Sequence, residues 1–379
     1  MEKIEVILLH CIPSPYRIPL FEALAKEENL EFQVYYCAQT HKCCQWQNHE
    51  SENYKYITLN GFRVESSYFT YYINLEIFSL IKRRYDIIII GGCKDFTSIM
   101  AFIISKINKK HIIIWTEGIK TSKSLLGKIF TPIFSYLIKK SDAVVVPGTK
   151  SKEYVLGYGC SEDKIFLAPN IVDNDFYIFE CGKIKNEIYN YKLKYNLLNK
   201  NVILYVGRLI KQKGVDYLIE SVHLLNKDFN NVCLIIVGDG PYREELEKHC
   251  KKINVQNVIF TGWKDGIEKI IYYSIADIFV LPTLNDVWGL VINEAMCCKL
   301  PVITTKFAGC TDMIEDGING YVIDRANSQQ LYISIKKILS DDQLKNRMGS
   351  NSLDIINKRF TLLNMTRGFV SSIEYSLKK

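Results

Sequence analysis

Val202-Ile203-Leu204-Tyr205-Val206-Gly207-Arg208-Leu209-Ile210-Lys211-Gln212-Lys213-Gly214-Val215 is the stretch on which the architecture turns. An apolar run ends on a glycine, a basic loop follows, and a helix-period segment, about Val215–Leu225, opens behind a second glycine. Buried parallel strands read as continuous Val, Ile and Leu runs. Strand, loop and helix repeated along a chain imply a parallel sheet covered by helices. Downstream the unit recurs, with strands expected at Val232–Val237, Val258–Phe260, Ile278–Leu281, Pro301–Thr304 and Gly320–Val322. Upstream it has already occurred at Glu5–Leu9, Glu31–Tyr36, Ile87–Gly91, His111–Trp115, Ala143–Val146 and Lys164–Leu167, with helical stretches at Pro19–Glu27 and Phe96–Ile107.

The alternation breaks once. Glu180 to Asn201 is polar, rich in Lys, Asn and Tyr, and opens no strand, so it reads as a linker or a helix leading into one. A chain of 379 residues is long enough for two domains. The expected division is 1–182 and 183–359, with a last helix within 360–379 returning to the first domain. Both are doubly wound α/β domains, expected to face each other across a cleft. In such sheets the ligand lies beyond the carboxyl ends of the strands.

Composition narrows the class. With 48% hydrophobic and 23% charged residues the chain is globular rather than disordered. The net charge of +7 sits mostly in the second half: residues 1–180 hold 21 Lys and Arg against 20 Asp and Glu, leaving 27 against 21 for 181–379. No dense basic stripe of the nucleic-acid-binding kind appears. Twelve cysteines include the adjacent pairs Cys43-Cys44 and Cys297-Cys298, with no CxxC spacing. This argues against a zinc ribbon and for free thiols acting as small buried hydrophobes in a reducing cytosol. Glu2 and Glu5 interrupt the first apolar run, unlike a signal peptide. No run approaches the roughly 20 apolar residues of a membrane span. Lys120–Lys140 mixes five lysines with Leu, Ile and Phe. It reads as a core helix with a basic edge or as a segment lying on an anionic bilayer.

Three motifs carry chemistry. In the first, Gly207 permits close approach to the backbone, while Arg208 and Lys213 offer two cations ahead of a helix N-terminus. A diphosphate suits that set, since Arg forks onto its oxygens and Lys supplies a point charge. In the second, Val237-Gly238-Asp239-Gly240-Pro241 is a strand ending in a tight turn before a helix at Arg243–Lys251. By itself it is a plain connection, and it lacks the GxGxxG dinucleotide fingerprint. In the third, Asp286 and Gly289 precede an apolar helix carrying Glu294. A carboxylate in so apolar a helix is seldom there for packing, and an ionised acid accepts hydrogen bonds from a diol. Phosphate binding beside hydroxyl binding describes a nucleotide-sugar site.

Gly207-Arg208, Lys213-Gly214, Gly238-Asp239-Gly240-Pro241, Pro282 through Gly289-Leu290, Glu294-Ala295-Met296 and Pro301-Val302-Ile303 resemble the retaining GT-B glycosyltransferases of family 4. The resemblance continues through Ala308-Gly309, Asp312-Met313-Ile314 and Asp316-Gly317-Ile318-Asn319-Gly320. In the first half, Pro15-Tyr16-Arg17-Ile18-Pro19-Leu20-Phe21 is similar to the opening of a bacterial polysaccharide-synthesis subgroup, and Pro169-Asn170-Ile171-Val172-Asp173 to a recurring family segment.

The resemblance implies a GT-B fold and transfer of a hexosyl group, with retention, from a UDP- or GDP-sugar to a glycan or lipid-linked acceptor. It implies donor contacts from Gly207, Arg208, Lys213, Gly238, Gly240, Trp263, Asp286, Gly289, Leu290 and Glu294. Arg208 and Lys213 would hold the diphosphate, Asp286 the sugar and Glu294 the ribose. Gly262-Trp263 falls at the loop near the base. Tyr16, Arg17 and Glu117 would meet the acceptor, with Glu117 orienting its hydroxyl where many relatives place a His. Arg208, Lys213, Asp286 and Glu117 are the expected catalytic set. Neither cofactor nor metal is implied. Work in the cytoplasm, at the inner face of the membrane, follows from lipid-linked acceptors.

Three positions depart from the family pattern. Asp286 is one methylene shorter than the usual Glu, Lys299 stands where Gly is usual, and Ala308 replaces the first of two glycines. Asp173-Asn174-Asp175 spells a DxD metal motif but follows Pro169-Asn170 as an interdomain segment does. A GT-B nucleotide-sugar epimerase and a non-catalytic nucleotide-sugar-binding protein share these features.

Overall fold

β-Branched runs form two parallel sheets in the computed structural model, which describes residues 3–40, 51–65, 70–92, 95–120, 125–184 and 187–378. Cys43-Cys44 and the segment from 121 through the side chains of 125–130 fall outside that description. The chain divides into two units, Met1–Asn170 with Leu362–Lys379, and Ile171–Thr361.

In chain order the first unit holds β1 (Ile4–His10), α1 (Ile18–Ala25), β2 (Leu30–Tyr36), β3 (Lys55–Thr58), β4 (Phe62–Glu65), β5 (Thr70–Ile73), β6 (Ile87–Gly91), α2 (Phe96–Ile107), β7 (His111–Trp115), α3 (Leu125–Lys140), β8 (Ala143–Val146), α4 (Thr149–Leu156) and β9 (Ile165–Leu167). Its seven-stranded sheet has the order β3-β2-β1-β6-β7-β8-β9. Every pairing in it is parallel. Strand order reverses between β1 and β6, which makes that junction the switch point. All of β6 and β8 are buried, as their unbroken Ile and Val runs require. Strands β3, β4 and β5 are additional to those expected. Each has four residues and several partly or fully exposed positions, too little apolar pattern to stand out.

The second unit holds α5 (Asn174–Ile184), α6 (Ile188–Lys194), β10 (Asn201–Val206), α7 (Val215–Leu225), β11 (Val232–Val237), α8 (Arg243–Lys252), β12 (Val258–Gly262), α9 (Gly266–Ile275), β13 (Ile278–Leu281), α10 (Leu290–Cys297), β14 (Val302–Thr305), β15 (Gly320–Ile323), α11 (Ser328–Leu339) and α12 (Asp342–Arg359). Its sheet runs β12-β11-β10-β13-β14-β15, all parallel. Counted within the unit this is the doubly wound order 3-2-1-4-5-6, with its switch point between β10 and β13. Thus both units are Rossmann-like, as expected.

The division falls earlier than the expected boundary at 182/183. Val172, Tyr177 and Ile184 lie in the second unit's core, and Asn174 Nδ2 donates to the Phe360 carbonyl at 2.9 Å. The polar stretch after Glu180 disguises a helix that is anchored on one face only. Phe360 likewise stays in the second core. The last helix, α13 (Leu362–Leu377), is part of the first unit. There Phe369 meets Trp115 edge-on at 5.0 Å and Tyr375 lies 5.3 Å from Phe166.

The expectation of free thiols fails at one pair. Cys181 on α5 and Cys298, which caps α10, are joined as a disulfide, with Cα atoms 6.0 Å apart across 117 residues of sequence. That separation is within the usual range for a disulfide. The two cysteines meet because α5 packs beside α10. No described helix is long and apolar enough to cross a membrane.

Candidate active site

The carboxyl ends of β10, β11 and β12 each finish on glycine: Gly207, Gly238 and Gly262. Gly207 N donates to the Val237 carbonyl at 3.0 Å and Gly238 N to the Gly262 carbonyl at 2.8 Å. A side chain on Gly238 would collide with the Gly207 backbone. The three strand ends therefore form a low floor beside the switch point, and Gly240 packs against the Leu209 backbone at its margin. Trp263, 47% exposed, follows directly on β12.

Two loops flank the β10/β13 junction. The loop after β10 closes with a 3-10 turn, Lys211–Lys213, and with Gly214 in the left-handed region (φ 63°) as the N-cap of α7. A side chain at Gly214 would run into the Pro282 carbonyl, so only glycine fits there. The loop after β13 is tied to it: Leu284 N donates to the Gln212 carbonyl at 2.8 Å, and Thr283 Oγ1 donates to the same oxygen at 3.1 Å. This fastening brings Lys213 and Asp286 together as an ion pair, although 73 residues separate them. Arg208 is exposed, and the Tyr205 hydroxyl donates to its carbonyl at 3.1 Å. Burial and the Asp286 charge push the phenol of Tyr205 and the thiol of Cys310 up. Both groups stay neutral beside the carboxylate.

Gly289, also left-handed (φ 96°), is the N-cap of α10 and makes no side-chain cap. The first N–H groups of a helix have no intrahelical acceptor, so those of Leu290 and Val291 lie at the helix start, while Ile292 N donates back to the Gly289 carbonyl at 2.9 Å. One turn on, Glu294 is buried at 7% exposure. Tyr273 OH donates to Glu294 Oε2 at 2.7 Å and Lys269 Nζ donates to Oε1 at 2.9 Å. Burial, then the Glu294 charge, holds the Tyr273 and Tyr177 phenols well above their ordinary range, so both remain donors. Lys269, Tyr273 and Tyr177 are not anticipated by the sequence. Their only signal is the i, i+4 spacing of Lys269 and Tyr273, which puts them on one face of α9.

The departures resolve locally. Lys299 takes the left-handed conformation (φ 58°) that a glycine would adopt freely, so the turn survives the substitution. Ala308 has ordinary extended angles (φ −88°, ψ 139°) and needs no glycine. A side chain at Gly309 would strike the Val287 carbonyl, so the second glycine is the required one. Asp173 is used as a helix cap, its Oδ1 accepting from Phe176 N at 3.0 Å. Among the described residues no cluster of three or more His, Cys, Asp or Glu could hold a metal ion.

In the first unit, Arg17 is 3% exposed at the start of α1. Its Nη1 donates to Asn170 Oδ1 at 2.7 Å and its Nη2 pairs with Glu117. The guanidinium lies over the rings of Trp115 (4.5 Å) and Tyr16 (4.9 Å). Burial lowers its pKa to about 10. Arg17 was expected to meet the acceptor; its Nη1 and Nη2 are engaged within its own unit, where it pairs with Glu117. The Glu117 side chain keeps 30% exposure at the carboxyl end of β7.

Residues 190–354 match the family described as glycosyl transferases group 1. The chain is 26% identical over 261 residues to the capsular polysaccharide biosynthesis glycosyltransferase CapM of Staphylococcus aureus, covering 69% of this chain and 62% of the relative. It is 30% identical over 164 residues to a GDP-mannose-dependent alpha-(1-6)-phosphatidylinositol monomannoside mannosyltransferase of Mycolicibacterium smegmatis, covering 41% and 43%. The chain thus matches less than two thirds of the length of either relative. The crystal structure of Anabaena HepE in complex with UDP superposes with a TM-score of 0.79 at 19% identity, over 98% of this chain and 99% of that one. By sequence, residues 190–354 are similar to the glycosyl transferases group 1, and the chain as a whole has the GT-B fold.

Proposed function

We propose that this protein is a retaining glycosyltransferase that moves a hexosyl group from a UDP- or GDP-sugar to a glycan or lipid-linked acceptor in cell-surface polysaccharide synthesis. The observation that carries the reading is the grouping of Lys213 with Asp286 at the β10/β13 switch point, with Arg208 on the same loop and Glu294 one helix turn beyond the start of α10. Cations for a diphosphate and acids for hydroxyls stand where an α/β sheet binds its ligand. CapM and the mannosyltransferase are named for this chemistry, and HepE was crystallised with UDP and with UDP-glucose.

In this mechanism the bond between the anomeric carbon and the β-phosphate oxygen breaks as the bond to the acceptor oxygen forms on the same face. The acceptor proton passes to the departing phosphate. Arg208, Lys213 and the N-terminus of α10 stabilise the charge growing on the leaving oxygen, which is electrostatic catalysis. These cations serve the role a metal serves elsewhere, so no metal is required. Asp286 accepts hydrogen bonds from sugar hydroxyls and Glu294 from the ribose. Glu117, held by Arg17, orients the acceptor hydroxyl. The proposal includes work in the cytoplasm at an anionic membrane surface. Ile133, Tyr136, Lys139 and Lys140 support this, as exposed residues on a helix that buries Phe134, Leu137 and Ile138.

The test incubates the protein with UDP-, GDP- and ADP-sugars, with and without lipid-linked acceptors. Acceptor-dependent release of the nucleoside diphosphate is expected, and Arg208→Ala should lower turnover by about a hundredfold or more without changing the melting temperature. Full activity of that variant refutes the assignment. Sugar interconversion without acceptor marks an epimerase, and binding without turnover marks a nucleotide-sugar-binding protein.

A further inference from the structure

We infer that Lys269 is a positioning residue for the donor nucleotide, acting through Glu294 to set discrimination for ribose over deoxyribose. The inference rests on the reading of Glu294 as the ribose acceptor and extends it to a residue outside the family motif.

A Glu side chain on a short helix can adopt many rotamers. Here each carboxylate oxygen is tied from a different direction: Oε1 by Lys269 Nζ at 2.9 Å and Oε2 by Tyr273 OH at 2.7 Å. Lys269 is itself confined, with 16% of its side chain exposed and its ammonium 5.6 Å from the centre of the Tyr177 ring. Tyr177 in turn stands edge-on to Tyr273 at 6.4 Å. α9 thus supplies the ammonium and one phenol one turn apart, and α5 supplies the ring that backs them. An ionised carboxylate has about four acceptor sites. Lys269, Tyr273 and the Tyr177 phenol, which also hydrogen-bonds this carboxylate, leave about one acceptor site open for a ribose hydroxyl. A buried carboxylate without a cation is costly. Without Lys269, the open acceptor site loses both its fixed direction and the charge that makes it strong.

The experiment measures by calorimetry the affinity for UDP, GDP and their 2′-deoxy and 3′-deoxy forms, in the wild type and in Lys269→Met, Lys269→Arg, Tyr273→Phe and Glu294→Gln. A hydrogen bond to a charged group corresponds to about a 10- to 100-fold preference. The wild type should therefore favour the ribonucleotide by about that factor. Lys269→Met should lose most of the preference by weakening ribonucleotide binding while deoxynucleotide binding moves less than about threefold, and Lys269→Arg should recover it. A purely structural role for Lys269 would weaken both forms alike, and that result, or unchanged binding of both, overturns the inference. Should Lys269→Met fail to fold, Tyr273→Phe, which removes one hydroxyl, must reduce the preference for the inference to stand. Failure of the underlying reading looks different. It shows as no ribose preference in the wild type, with Glu294→Gln binding normally.

Discussion

Lys213 and Asp286 are partners across the switch point of the second sheet, each the other's counterion at the place where a diphosphate and its sugar would meet. Both are only partly exposed, 21% and 12% for their side chains, so the pair is not one of the solvent-screened surface contacts that contribute little. In the proposed site a phosphate would draw Lys213 towards itself, and the carboxylate would oppose it by charge while accepting from the sugar hydroxyls. Lys213→Ala is therefore expected to weaken UDP or GDP binding about 10- to 100-fold, the range for a lost charge-assisted hydrogen bond, and to lower turnover as well. Asp286→Asn should leave nucleoside diphosphate affinity unchanged or tighter while turnover falls. Calorimetry on UDP and GDP beside turnover of the sugar donors separates the two effects.

Arg17 has no such exchange available to it. It is enclosed by Asn170, Glu117, Trp115 and Tyr16. Removing the guanidinium leaves the Asn170 amide oxygen and the Glu117 carboxylate without that donor. Breaking a buried pair costs about 3–5 kcal/mol, and partial exposure of Glu117 reduces this to about 2 kcal/mol. Arg17→Met should therefore lower the urea midpoint measurably. Glu117→Gln keeps an acceptor for the guanidinium but removes its counterion, so it should lower the midpoint as well, and it should in addition act on acceptor turnover. Equal stability of Arg17→Met and wild type would show that the cluster contributes nothing to the first unit.

The contrast shows what the sequence makes legible. Lys213, Gly214, Asp286, Gly289 and Glu294 lie beside glycines and strand ends, so their placement follows from local pattern. The same is true of both parallel sheets, whose buried strands are unbroken Val, Ile and Leu runs. Arg17 is different: an arginine is rarely buried, and nothing nearby in the chain announces that Asn170 will receive it. Lys269 and Tyr273 reach Glu294 only once α9 and α10 are packed, and Tyr177 belongs to a helix whose polar neighbours look like a linker. The strands β3, β4 and β5 were hidden by length, since four residues give periodicity too few points to register.

Lys299 carries a cost that the sequence marks and the backbone explains. Its left-handed φ of 58° costs an L-residue about 1–2 kcal/mol, while glycine in its place would give back about 0.5–1 kcal/mol in chain entropy. The side chain is exposed, so little packing is lost. Lys299→Gly should stabilise the protein by about 0.5–1 kcal/mol, read as a higher urea midpoint with an unchanged slope. Lys299→Val, which is β-branched and poorly suited to positive φ, should destabilise it.

Cys181 and Cys298 offer the sharpest stability experiment, because the loop they close is long. In the chain-entropy account, a bridge closing about 100 residues restricts the unfolded chain by about 4–5 kcal/mol, and observed values run typically about 2–4 kcal/mol. Here the two cysteines are 117 positions apart in the sequence. The protein denatured in guanidinium should show at least two more reactive thiols after reduction than when purified without reductant. Reductant should also lower the thermal midpoint of the wild type, whereas the Cys181→Ser, Cys298→Ser double variant should melt at the reduced midpoint in either condition. The bridge ties α5, which carries Tyr177, to the end of the helix that carries Glu294. Loosening it should therefore weaken UDP or GDP binding more than it alters acceptor turnover at saturating donor. Twelve thiols in the unreduced protein, with a midpoint indifferent to reductant, would remove the bridge from the account and leave α5 held by packing alone.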